Sequence, residues 1–161
     1  MITGFLHPGA MGSSVAAACS GERLWVSAGR TSESHARADA AGLADAGTID
    51  ELAARCDTIV SICPPDHALD VADAVAAAGF DGVYVDANAV APATAERFAT
   101  LFDRFVDGGI IGPPAHRAGT TRMYLSGDAA AAVADRWSGS SLDVRVIDGG
   151  VGAASALKMA Y

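Results

Sequence analysis

Short apolar runs alternate with alanine-rich helical stretches along nearly the whole chain, and that alternation limits what it can fold into. Ile2 to Leu6, Arg23 to Ala28, Asp57 to Ile62, Gly82 to Asp86, Met123 to Leu125 and Val144 to Ile147 read as strands, with another starting at Phe105 to Asp107. Ala10 to Ser20, Ser32 to Ala41, Ile49 to Arg55, Asp66 to Ala78, Pro92 to Phe102 and Asp128 to Trp137 read as helices. Strands with no polar alternate face are buried on both sides, as in a parallel sheet covered by helices. The punctuation agrees: Gly21 stops the first helix, Asp66 is placed to cap the fourth, and Pro92 suits a first helical turn. Gly42 to Thr48 reads as a loop with room for a weak edge strand.

Composition narrows the function classes. The 161 residues fit one domain, or one domain and a fragment of a second. A net charge of -8 repels a polyanion, so no nucleic-acid partner is expected. A single phosphate group can still be held locally by backbone amides and an arginine. Cys19, Cys56 and Cys63 are an odd set without paired spacing, so they read as reduced thiols of a cytoplasmic protein. Cys63 and His67 lack a second ligand pair, so no metal site is expected. No apolar run nears the roughly 18 residues of a membrane span, and no signal-peptide pattern is seen at the N-terminus.

The informative segment is His7-Pro8-Gly9-Ala10-Met11-Gly12, between the first strand and the first helix. That is where the dinucleotide fingerprint G-x-G-x-x-G belongs in a doubly wound Rossmann sheet. Gly9 would let a pyrophosphate approach the backbone, and Gly12 would let helix and strand pack closely. Unpaired amides at Ala10 and Met11 would meet the phosphates. His7 stands where the fingerprint has its first glycine, so the rigid Pro8 must help make the turn. Roughly 20 residues further on, a fold preferring NAD carries a carboxylate for the ribose hydroxyls. Here the second strand ends in Ala28-Gly29-Arg30-Thr31-Ser32. A guanidinium with two hydroxyls suits a 2′-phosphate, so NADP is expected rather than NAD.

With those residues in place, the chain resembles the 3-hydroxyisobutyrate/6-phosphogluconate dehydrogenase superfamily over essentially its whole length. Gly4 to Gly12 is similar to that family's opening strand and P-G-x-M-G turn, and Arg30-Thr31 to the Arg-Thr of its NADP-using members. Cys63-Pro64-Pro65 resembles the loop that passes along the nicotinamide ribose. Val85-Asp86-Ala87-Asn88 through Pro92 resembles D-x-S-T-x-x-P beside the nicotinamide, and Gly152 to Lys158 resembles G-x-G-x-x-x-K with its catalytic lysine. The chain departs from the family where Asn88-Ala89 replace Ser-Thr, where Ile111-Gly112-Pro113 replace Ser-Gly-Gly, and where Tyr161 replaces an asparagine.

The resemblance implies an oxidoreductase that moves hydride between a nicotinamide and a hydroxy or keto substrate, with Lys158 as acid/base. Taken alone, Lys158 reads as a solvated helix lysine. Cys63, Pro64, Pro65 and Asn88 would lie along the cofactor, and Asn88, Gly112 and Pro113 along the small-molecule substrate. Asn88 also reads as a simple turn residue. Residues 1–150 would form the cofactor domain. Residues 151–161 would begin an interdomain helix leading to a helical substrate domain that makes a homodimer. Imine reduction on the same scaffold and a non-catalytic NADP-binding or redox-sensing module are the alternatives. His116 and Arg117 are weaker candidates for a carboxylate substrate, and equally an exposed loop.

Overall fold

The computed structural model describes residues 1–161. It runs β1 (Ile2–Phe5), α1 (Ala10–Ala18), β2 (Glu22–Trp25), α2 (Ser32–Ala40), β3 (Ala44–Asp45), α3 (Ile49–Arg55), β4 (Thr58–Ser61), α4 (Ala68–Ala77), β5 (Val83–Asp86), α5 (Pro92–Leu101), β6 (Phe105–Ile111), β7 (Arg122–Ser126), α6 (Ala130–Ala134), β8 (Asp143–Val146) and α7 (Ala153–Met159). One sheet holds all eight strands in the order β3-β2-β1-β4-β5-β6-β7-β8. The first six are mutually parallel. β7 runs antiparallel to β6, and β8 runs parallel to β7. This is the doubly wound α/β architecture expected. Its strand order reverses between β1 and β4, and such sheets take ligands above the strand ends at that point.

Each face of the sheet has its own core. On one side α1, α2 and α6 cover Phe5, Trp25, Val60, Val85 and Val106, with Trp137 beneath. The Trp137 indole N–H donates to Val15 O at 2.9 Å, so its one polar atom is satisfied inside the core. On the other side α3, α4 and α5 cover Leu24, Ile59, Tyr84 and Phe105. α3 starts on a reciprocal capping box between Thr48 and Glu51, which satisfies two otherwise orphaned donors. No helix is long and apolar enough to cross a membrane.

One sequence expectation needs correction, and one strand is longer than the start read from the sequence. Asp66 does not cap α4: Pro65–His67 form a 3-10 turn first, and α4 begins at Ala68 with no side-chain cap. Pro65 fixes the backbone as the turn starts and its carbonyl accepts from Ala68 N, which leaves Asp66 inside the turn. The strand that starts at Phe105 to Asp107 continues through Gly108-Gly109 to Ile111. Gly109 thins the strand so that α7 lies directly on it, while Gly108 lies close to Asp86 O and Ala87 instead. A Cβ at Gly109 would come within 2.9 Å of Ala154 O and 3.0 Å of Lys158 Cβ.

Replacing Gly109 with valine should therefore push α7 off the sheet. We expect a loss of about 1–3 kcal/mol in chemical denaturation, typical of overpacking. An unchanged unfolding midpoint would show that α7 contributes nothing to the fold.

Candidate functional site

After β1 the chain crosses Leu6, His7, Pro8 and Gly9 before entering α1, and the two fingerprint glycines have different physical reasons to be there. Gly12 is required by the fold, since a Cβ would lie 2.2 Å from His7 O. Gly9 is not. Its φ of -69° and ψ of -176° suit any residue, and a Cβ would meet nothing within 4 Å. Gly9 and Ala10 are exposed, Met11 is half-buried, and no side chain caps α1. The positive end of the helix dipole therefore opens onto free space.

Arg30 folds back over this turn. Its Nη2 donates to Leu6 O at 3.3 Å and meets His7 Nε2 at 3.1 Å. A guanidinium has no lone pair to offer, so His7 Nε2 is the acceptor and the imidazole proton sits on Nδ1. Burial first, then the charges of Arg30 and His67, pull the His7 pKa down to about 4, so the ring is neutral at neutral pH. His7 Nδ1 and Arg30 Nε are buried with no partner in the chain. Thr31 caps α2, its hydroxyl accepting from Ser34 N at 3.3 Å, and Ser32 is exposed beside it.

Two cavities meet at His7, Arg30, Cys63 and Pro64. One, of about 410 Å³, is an apolar slot walled by Leu6, Ile49, Val71 and Ala74, with His67 and Asp70 on its rim. The other, of about 220 Å³, lies against Pro8, Gly9, Ser34 and Ile62. Pro64 and Pro65 are exposed and Cys63 is half-buried. Burial pushes the Cys63 thiol pKa up, which disfavours the reactive thiolate.

A row of polar side chains crosses the sheet beneath the site. Ser61 of β4, Asp86 of β5, Asp107 of β6 and Ser126 of β7 stand in matched register, each 0% exposed. Asn88 closes one end. Its amide nitrogen donates to Asp86 at 2.7 Å and to Ser61 at 3.1 Å, and its carbonyl oxygen accepts from Cys63 N at 2.6 Å. Both amide hydrogens are thus spent inside the protein, and Asn88 is 3% exposed. These bonds hold the Cys63 loop against β5.

The other end of the row anchors α7. Asp107 accepts from Ser155 N at 2.9 Å and from the hydroxyls of Ser155 and Ser126, while Ser126 Oγ accepts from Ala154 N at 3.1 Å. Lys158 follows one turn later, half-buried, and donates to the Ile110 carbonyl. It has no carboxylate partner. Gly112 and Pro113 are exposed just beyond β6, two and three residues after the Ile110 carbonyl that the lysine meets, and they also build their own loop. Gly112 has φ +121°, and Pro113 O accepts from Thr121 at 2.6 Å. His116 lies elsewhere, over Ala10, Ser13 and Arg37 on the α1–α2 side. Tyr161 stands 78% exposed at the end of α7.

No protein-family model and no curated protein matches the chain. Solved structures do match it. A conserved protein of unknown function, described as structurally similar to 3-hydroxyacid dehydrogenases, superposes over 99% of this chain and 62% of its own, at 27% identity and a TM-score of 0.83. The chain has the fold of the 3-hydroxyacid dehydrogenase-like proteins. A 3-hydroxyisobutyrate dehydrogenase from Mycobacterium tuberculosis matches with TM-score 0.82 at 19% identity, and an imine reductase variant from Myxococcus stipitatus in complex with NAD+ with 0.77 at 22%; each covers 99% of this chain and 58% of its own. These agree with the family resemblance read from the sequence. The chain spans about three-fifths of the length of these relatives.

The polar row was not singled out from the sequence, though a signal for it exists: Asp86 and Ser126 each close an otherwise apolar run, and Ser61 interrupts one. It has a pH signature. Burial raises Asp86 from 3.8 to about 7, the nearby Asp107 adds to the rise, and the bonds from Asn88 oppose it. The folded state thus holds the proton more tightly than the unfolded chain. The stabilising contribution is complete below about pH 3.8 and is lost as pH rises through about 7. Asp86→Asn removes this linkage while leaving that of His7 in place. Its melting temperature relative to the parent should climb from pH 4 to pH 8. A difference that stays flat across that range would show that Asp86 ionises as freely as in the unfolded chain.

Proposed function

We propose that this chain is the cofactor-binding part of an NADP-dependent oxidoreductase acting on a hydroxy, keto or imine substrate. The observation that carries the reading is Gly9: neither its backbone conformation nor any neighbour needs a glycine there, so the space it leaves open is space for a ligand. The residues around it fit a dinucleotide. The adenine would enter the slot lined by Ile49, Val71 and Ala74, and the pyrophosphate would meet the amides from Gly9 to Gly12. Arg30, with the hydroxyls of Thr31 and Ser32, would take the 2′-phosphate. Cys63, Pro64 and Pro65 would follow the ribose towards the nicotinamide.

A bound nicotinamide would supply or accept the hydride. The chain's own contribution at the reacting atoms falls to Lys158, whose ammonium would hold, donate or receive the proton on the substrate oxygen or nitrogen. Its contact with the Ile110 carbonyl orients it without neutralising it. Gly112 and Pro113 would line the substrate beside it. A helical domain following α7 would close this pocket and form the dimer.

Titration of the purified protein with NADPH and NADH tests the cofactor. NADPH should bind more tightly, and Arg30→Ala should weaken it about 10- to 100-fold, the worth of a lost charge-assisted contact, while sparing NADH. Equal affinities for the two cofactors in the parent would overturn the NADP assignment. Gly9→Val should abolish binding of both cofactors with little change in melting temperature. A folded Gly9→Val protein that binds NADPH like the parent would place the nucleotide elsewhere.

A further inference from the structure

We propose that His7 determines the cofactor preference, by holding the Arg30 guanidinium in place for a 2′-phosphate. The proposal deepens the NADP reading above and rests on it. A glycine at position 7 would have no side chain to offer, whereas His7 puts an acceptor nitrogen 3.1 Å from Arg30 Nη2. With Leu6 O at 3.3 Å, both hydrogens of Nη2 have partners, and the guanidinium is fixed against the end of β1. An arginine carries five N–H donors. Three are left, and none of them donates to a protein atom, although Nε is buried.

The arrangement works only with a neutral imidazole. A protonated His7 would have no lone pair to receive Nη2 and would set a second cation beside the first. The same burial and the same Arg30 charge that bring the two together keep the proton off the ring. Arg30 is in this way ordered before any nucleotide arrives. A free arginine side chain loses rotamer freedom when it is immobilised, and here much of that cost falls on folding instead of binding. Only a ligand bearing an anion at Arg30 gains from this. NADH has none, so holding the arginine favours NADPH selectively.

The test is to measure NADPH and NADH affinities in the parent and in His7→Gly, His7→Gln and Arg30→Ala. Gly12 packs on the His7 carbonyl, a backbone contact that the two His7 variants keep. His7→Gly should lower NADPH affinity about tenfold and leave NADH nearly unchanged, the effect of losing one ordering hydrogen bond to a charged group. His7→Gln restores an acceptor at a similar reach and should recover most of the loss. If His7→Gly weakens both cofactors equally, His7 merely shapes the turn and the proposal fails. It fails also if His7→Gln behaves like His7→Gly, or if the preference survives in His7→Gly while Arg30→Ala destroys it. A parent that does not prefer NADPH would instead overturn the cofactor reading, and this proposal with it.

Discussion

Two carboxylates buried side by side in a parallel sheet are the constraint around which the upper half of this molecule is arranged. Moving a carboxylate out of water is expensive, and Asp86 and Asp107 have no cation among their hydrogen-bond partners to offset it. They are satisfied by neutral donors: Asn88 for Asp86, and Ser155 with Ser126 for Asp107. Each donor belongs to a segment that would otherwise be free to shift. Asn88 fixes the Cys63 loop, and Ser155 fixes α7. The Cys63 loop and the lysine-bearing α7 are therefore tied to neighbouring positions on β5 and β6.

The electrostatics at the other end of the site work against the overall charge. The chain carries -8, yet the turn after β1 gathers the open amino end of α1 and the Arg30 guanidinium in one place. Long-range attraction for an anion is thus weak, and discrimination must come from contacts within a few ångströms, where screening matters least. In the proposed reading, a neutral His7 and an uncapped helix would serve that purpose.

Much of this could be read from the chain itself. Continuous apolar runs between helices gave the parallel sheet, and the position of Gly9 and Gly12 after the first strand marked the turn proposed to hold the phosphates. What stayed hidden depended on partners distant in sequence. Asn88 looks like a ligand-facing amide until Ser61 and Cys63, more than 20 residues earlier, are seen to use it up. Nothing local at Gly109 announces that α7, more than 40 residues later, will press on it. Asp66 looks like a cap because the 3-10 turn that Pro65 imposes leaves no mark on the helical pattern.

The anchoring of α7 also makes the helix a ruler. Ser155 is pinned at the polar row, and Lys158 lies three residues on, about 4.5 Å further along the axis and on nearly the same face. The height of the ammonium above the sheet is set by that count of residues and by the bare backbone of Gly109 beneath it. One inserted residue between anchor and lysine would turn the side chain by about 100° and carry it away from the Ile110 carbonyl. Length between these two positions is therefore less tolerant of change than the identity of the residues that fill it, since Ala156 is exposed and Leu157 only half-buried.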